Sequence, residues 1–170
     1  MSYLANARIW RMILPLVLCL MSLDSWAGQR IAILDFELKD LTLAPGIPAE
    51  IQRTASIRAM LENELKKAGY EVVTVRSEAQ RNADVGVGYL FDHDDVAAEL
   101  AKPTGADYVL VGRLHKPSFL FAYLMAHLID VHTGRLIGNY ISEIKGNDKK
   151  LTLKGVESLA VKIDKTLKNN

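Results

Sequence analysis

Apolar positions along the chain change period several times, and each change marks an element. Residues 30–36 (RIAILDF) form a short, branched, nearly continuous apolar run, the pattern of a strand buried on both faces. A loop follows, punctuated by Pro45, Gly46 and Pro48. From about residue 49 to 68 the spacing becomes helical. Ile51, Ala55, Ile57, Leu61, Leu65 and Ala68 share one broad face, with Glu62, Asn63, Lys66 and Lys67 largely outside it. Gly69 is placed to end this helix, because glycine takes the left-handed C′ conformation without steric cost. Residues 70–75 (YEVVTV) alternate and predict a second strand. Residues 77–90 carry no clear period and are broken by Gly86 and Gly88. A helix is predicted over 94–102, with Asp92 or Asp94 as N-cap and Pro103 as its stop. Residues 108–112 (YVLVG) read as another buried strand, entered through Gly105-Ala106-Asp107. Residues 118–131 and 136–145 are the arms of a hairpin turned at His132-Thr133-Gly134-Arg135. Val156, Leu159, Ala160, Ile163 and Leu167 close the chain as an amphipathic helix. The order β-α-β-α-β-β-β-α predicts an α/β fold leaning towards α+β. It is a single mixed sheet of about five strands, parallel in its first half and antiparallel in its second, with helices packed on it.

The first 27 residues stand apart from this scheme. Arg8 and Arg11 precede a ten-residue apolar run at 12–21, and Ser25-Trp26-Ala27 puts small residues where a signal peptidase needs them, so cleavage is expected after Ala27. The run is about half of the ~20 residues that span a bilayer, and Pro15 and Asp24 argue against a permanent membrane helix. Cys19 lies inside the apolar run behind Leu18, which is not the setting of a lipidated cysteine. Removing 27 of 170 residues leaves 143, expected to form one domain over 28–170. It also removes two of the 21 basic and one of the 20 acidic residues, so the mature charge is zero. That balance argues against a nucleic-acid binder, which shows a basic excess. The only cysteine and both tryptophans are lost as well, so disulfides and cysteine-built zinc sites are excluded from the mature chain. A domain of this size buries about two-thirds of its unfolded surface, enough to fold on its core in an oxidising compartment. The expected location is periplasmic or secreted.

Three segments, Arg30-Ile31-Ala32-Ile33-Leu34-Asp35-Phe36, Gly105-Ala106-Asp107-Tyr108-Val109-Leu110-Val111-Gly112 and Leu128-Ile129-Asp130-Val131-His132-Thr133-Gly134, occur in that order. The pattern resembles the periplasmic α/β domain shared by the TolB amino-terminal domain, the LpoB activator of penicillin-binding proteins and the CsgG curli secretion protein. The chain is also similar to a family of short secreted proteins of unknown function, often encoded near quinoprotein alcohol dehydrogenases. The resemblance covers nearly all of residues 29–168 and implies a fold more than an activity. LpoB and CsgG are lipoproteins, and the setting of Cys19 keeps their anchoring from being carried over. The genomic context implies an alternative role, a small-ligand or metal-binding helper of a quinoprotein dehydrogenase-type system. The motifs have plain physical readings too. Asp107 can hydrogen-bond locally before its strand, and Thr133-Gly134 supplies the positive φ of a tight turn.

Chemistry-bearing residues are few. Asp130 and His132 fall on one strand face and could offer two metal ligands or a general-base pair. The competing reading is that Asp130 caps the turn with His132 exposed in it. Asp92-His93-Asp94-Asp95 is the densest acidic cluster. It lacks the spacing of a calcium loop, and acidic residues also favour helix starts. Gly86-Val87-Gly88 lacks the third glycine of a dinucleotide loop, where Phe91 stands. Lys149, Lys150, Lys154, Lys162, Lys165 and Lys168 make the C-terminal segment basic, either as a solvated helix face or for contact with anionic lipid heads. No catalytic constellation and no cofactor motif emerges, so a non-enzymatic role is expected.

The hairpin is the most informative feature. Phe119, Phe121, Tyr123, Met125, Ile129 and Val131 share one face of its first arm, and Leu120, Ala122, Leu124, Ala126 and Leu128 the other. An arm covered on one side only should alternate apolar with polar, so something must cover the second face. Helices of the domain on both faces are one answer. The other is a protein partner or a second copy, contacted through Phe119, Phe121, Tyr123 and Met125. Intact-mass measurement of the exported protein checks the cleavage expectation; its first residue should be Gly28.

Overall fold

The computed structural model describes residues 28–169. The expected leader, with Arg8, Arg11, Cys19 and the expected cleavage position at Ala27, lies outside the described residues. In chain order the elements are β1 (Arg30–Ile33), β2 (Glu37–Asp40), α1 (Pro48–Lys67), β3 (Glu71–Val73), α2 (Ser77–Ala83), α3 (Tyr89–Asp92), α4 (Asp94–Ala101), β4 (Tyr108–Lys116), β5 (Phe121–Asp130), β6 (Leu136–Lys145) and α5 (Lys149–Leu167). One mixed sheet runs β3-β1-β4-β5-β6, and β2 lies beside β4 on the edge that β1 also uses. Pairings among β1, β2, β3 and β4 are parallel; those of β5 with β4 and β6 are antiparallel.

Side-chain alternation divides the interior into two cores. On one face Ile31, Ile33, Leu110, Leu114, Leu124 and Leu128 pack with α1 and α5 through Ile57, Leu61, Leu65, Val156, Leu159 and Ile163. On the other, Ala32, Leu34, Val109, Val111, Ile129 and Val131 pack with α3 and α4 through Leu90, Phe91, Ala97, Ala98 and Ala101. The opening motif serves both. Leu34 enters the second core, Phe36 enters the first, and Asp35 between them stays exposed. A Cβ on Gly112 would collide with the Phe36 ring, so that glycine is the space Phe36 fills between Leu110 and Leu114.

Several local devices match the sequence. Gly69 has φ of +98° beyond α1 and Gly134 has φ of +68° in the hairpin turn. The Asp130 carboxylate accepts from Thr133 N (2.7 Å) and Thr133 Oγ1 (2.9 Å), which closes that turn. Asp148 caps α5 by accepting from Leu151 N at 2.8 Å. Asp107 acts over long range rather than locally: its carboxylate accepts from Arg30 N at 2.7 Å, pinning the start of β1 to the start of β4.

Other expectations are corrected. About five strands are expected and the sheet has six, because the polar segment Glu37–Asp40 pairs with Arg113–Lys116 and extends β4 past Gly112. Residues 77–83 form α2, which buries none of its side chains. It is held instead by Gln80, whose Oε1 accepts from Asp35 N (2.8 Å) while its Nε2 donates to Asp35 O (2.9 Å). The N-cap of α4 is His93, not Asp92 or Asp94, and no side chain caps it. The inward stripe of α1 is rotated: Ile51, Ala55 and Ala68 are exposed, and Glu50, Arg53 and Thr54 are buried. The first hairpin arm begins at Phe121, because Ser118 Oγ accepts from Leu120 N and Phe121 N and holds 118–120 in a bend.

Among the described residues strand β6 pairs only with β5, so its far side is a sheet edge. There Lys162, reaching across from α5, donates to the Ile141 carbonyl at 2.6 Å.

Gly112→Ala is expected to destabilise the domain by about 1–3 kcal/mol, because Phe36 cannot retreat from a packed core. Gly86→Ala, where an added Cβ meets nothing within 4 Å, should stay within about 0.5 kcal/mol. Urea unfolding of the two variants beside the parent measures both.

Candidate functional site: the uncovered half of the hairpin

The sheet register sets out the second face in cross-strand rows. Lys39, His115, Tyr123 and Glu143 form one row; Glu37, Arg113, Met125 and Ile141 form the next; Phe121 pairs with Lys145 at the end. Helical cover stops within these rows. The Phe91 ring of α3 lies against the His127 ring (centroids 4.0 Å apart) and under the Arg113 guanidinium (3.9 Å). From there to the end of the hairpin no helix among the described residues lies over the face. Phe121 is 40% exposed and Ile141 51%, Tyr123 and Met125 are half-buried, and Phe119 and Leu120 at the bend are 56% and 71% exposed. Cover by the domain's own helices therefore holds for only part of this strand. The domain's own helices seal Ile129 and Val131, and the Phe121–Met125 half is left open. Phe119 lies in the bend rather than on the strand, and its ring centroid is 5.6 Å from the Lys116 ammonium, which pairs with Glu50 on the opposite face of the sheet, so the expected alignment of Phe119 with Phe121 is corrected.

The rim of the patch is polar. Glu143 and Lys145 stand 3.8 Å apart on β6. His115 stacks on Tyr123 with centroids 6.4 Å apart. Burial, assisted by the nearby Lys39 and Arg113 cations, pushes the His115 imidazole below its ordinary value of 6.5. The patch is therefore apolar and aromatic at its centre, with a neutral histidine and mixed charge around it.

The other candidates resolve into structural roles. Hydrogen bonds from the Thr133 backbone, together with its hydroxyl, hold the Asp130 carboxyl below the usual carboxylate range and fix it in the turn. His132 is exposed, 3.7 Å from Asp107. The acidic cluster disperses: Asp92 lies 3.8 Å from Arg113, Asp94 is 3.1 Å from His127, and His93 stacks on Tyr89. Among the described residues no three His, Cys, Asp or Glu side chains come together to hold a metal ion. Gly88, in the loop before α3, donates to Glu37 at 2.8 Å.

Sequence reasoning missed two buried ionic sets. Beside the patch, Arg113 Nη2 is 3.8 Å from both Glu37 and Asp92, and Arg113 Nε and Glu37 Oε1 are buried without a partner. Its signal was parity, since Arg113 follows Val109 and Val111 along one strand face. Across the sheet, Glu50 pairs with the Lys116 ammonium at 2.9 Å and accepts from Arg53 Nη1 at 3.2 Å. The side chains of these three residues are 2%, 4% and 6% exposed. Here the signal was spacing: Glu50, Arg53 and Thr54 continue the Ile57, Leu61, Leu65 series back to the helix start.

These features define a class, an α/β domain whose mixed sheet is fully covered by helices on one face and half covered on the other. Within it, the chain belongs to the family described as "Protein of unknown function (DUF2380)", which matches residues 29–163. No curated protein matches it in sequence. In fold it is similar to PelC from Paraburkholderia phytofirmans, solved as a dodecamer, at 18% identity over 83% of this chain and 88% of that one, with a TM-score of 0.53. Lipoprotein GNA1162 from Neisseria meningitidis is similar at 17% identity over 80% and 96%, TM-score 0.54. LpoB from E. coli is similar at 21% identity over 68% of this chain and 55% of LpoB, TM-score 0.50. At these identities the likeness defines the fold, and it agrees with the resemblance to LpoB carried by the three motifs. No helix among the described residues is long and apolar enough to cross a membrane.

Because the folded His115 binds its proton less tightly than the unfolded one, its contribution to stability is fully present above pH 6.5. That contribution is lost as pH falls from 6.5 towards the folded-state value. An NMR titration should find the His115 midpoint below 6.5, and His115→Gln should flatten the stability profile in that window.

Proposed function

We propose that this chain is a non-enzymatic accessory domain of the periplasm that binds a protein partner, or a second copy of itself, through the open half of the hairpin. The observation that carries the reading is the break in helical cover. One strand face is sealed at Ile129 and Val131 and left open at Phe121, Tyr123 and Met125, with Ile141 beside them. Contiguous exposed apolar side chains ringed by polar groups are the anatomy of a protein interface, and aromatic residues dominate the energetics of such contacts. The fold supports association in at least one case, since PelC assembles as a dodecamer. Export rests on the leader read from the sequence, and one similar fold, GNA1162, is a lipoprotein.

The test is Phe121→Asp. A charge at this half-exposed position should alter stability by no more than about 0.5–1 kcal/mol, while desolvating it in an interface is costly. Sedimentation velocity reads self-association, and recovery of proteins co-purifying from the native periplasm reads a partner. The substitution should reduce one of these at least tenfold with the thermal midpoint nearly kept. If both readouts stay at parental levels in a folded Phe121→Asp protein, the docking role of this face is wrong.

A further inference from the structure

On the opposite side of the sheet from the docking face, a cleft of about 310 Å³ opens between α1 and the start of α5. Successive turns of α1 supply one wall through Ala49, Gln52, Arg53, Ser56 and Met60, and the other comes from Asn147, Lys149 and Thr152. Its volume lies at the lower end of the range for small-molecule sites.

The charge of this cleft is one-sided. Arg53 and Lys149 line it, and no carboxylate does. Arg53 is buried, and its guanidinium donates from Nε to Thr152 Oγ1 (2.8 Å), from Nη1 to Glu50 (3.2 Å) and from Nη2 to the Gly146 carbonyl (3.2 Å). A guanidinium has five N–H donors, so these three bonds leave two without an acceptor among the described residues. The nearest carboxylate, Glu50, is shared with Lys116. Asp40 faces Lys116 across the β2–β4 pairing, but its oxygens are engaged by Thr42 and Gly46. Asp148 is committed to capping α5. A buried guanidinium with spare donors, a second cation on the rim and the first turn of a helix beside them favour a negatively charged occupant.

The geometry points to this cleft as a binding site for a small organic anion. Its carboxylate would take the spare donors of Arg53 with Lys149 alongside, and a short apolar body would lie along Ala49 and Met60. Arg53 fixes the head group, because its other bonds to Thr152, Glu50 and Gly146 hold the guanidinium plane in place. The proposal stands apart from the docking reading, which uses other residues on the other face.

The experiment titrates the isotopically labelled exported protein with sodium hexanoate, hexanamide and inorganic phosphate, following backbone amide signals. Hexanoate is expected to shift the signals of Gln52, Ser56 and Thr152 saturably, with hexanamide producing no comparable change. Because removal of Arg53 could unfold the domain, the variant is Lys149→Glu, an exposed change in the first turn of α5 where an acidic residue suits the helix. It should weaken hexanoate binding roughly tenfold with the thermal midpoint unchanged. Absence of saturable shifts with hexanoate overturns the proposal, and so does equal binding of hexanamide. Shifts caused by phosphate but not by hexanoate overturn the apolar-bodied carboxylate as the ligand class.

Discussion

Strand β4 is paired along both edges and buried on both faces, and the chain is arranged to supply those four sets of neighbours. One edge is covered by β5 alone. The other is covered by β1 and β2 in succession, neither long enough to do it singly. For two strands to follow one another along one edge, the chain must step out and return between them, and the Leu34-Asp35-Phe36 segment is that step. Leu34 N still donates to Leu110 O at 3.0 Å, after which Phe36 turns into the opposite core over Gly112. Asp35 at the apex is tied to Arg58 of α1 (3.0 Å) and Ser77 of α2 (2.8 Å). A short motif thus orders a strand pair and the approach of two helices.

The uneven cover of the sheet follows from helix length. At 1.5 Å per residue, a 20-residue α1 and a 19-residue α5 are each about 30 Å long, matching the roughly 33 Å of a ten-residue hairpin arm. On the other face the packed helices have four and eight residues, so the longer one spans only about 12 Å. They cannot shield the whole arm wherever they are placed. The exposed aromatic patch therefore stems from how the chain distributes its helical residues, while the hairpin sequence keeps its apolar character where no helix reaches.

Elements whose residues answer to one influence were legible in the sequence. β1, the core half of β4, the hairpin turn at Gly134 and the Val156–Leu167 stripe of α5 all have burial and local propensity pointing the same way. Segments governed by distant partners were not. Glu37–Asp40 is a strand only because β4 is beside it, and nothing in four largely polar residues announces that. Ser77–Ala83 buries no side chain fully and meets the second core only through the half-buried Ala83, so it has no apolar period to read. In α1 the middle of the stripe was legible, but its first turn was misassigned, because the buried positions there hold Glu50 and Arg53, which are met by Lys116 and Thr152 far along the chain. The shared face of Phe121, Tyr123 and Met125 was visible as strand parity. That it stays open depended on where α3 ends, which parity does not encode.

The reach of Lys162 to the Ile141 carbonyl has a consequence for how the protein coexists with itself at high concentration. A ten-residue rim strand with free amides and carbonyls is a template on which further strands can stack indefinitely, the route to fibrils. An ammonium seated on the rim occupies one of those carbonyls, and an incoming strand would have to strip it of water or push it aside. A strand added in the plane of the sheet at β6 therefore meets a charge part-way along the rim rather than an unbroken row of open carbonyls.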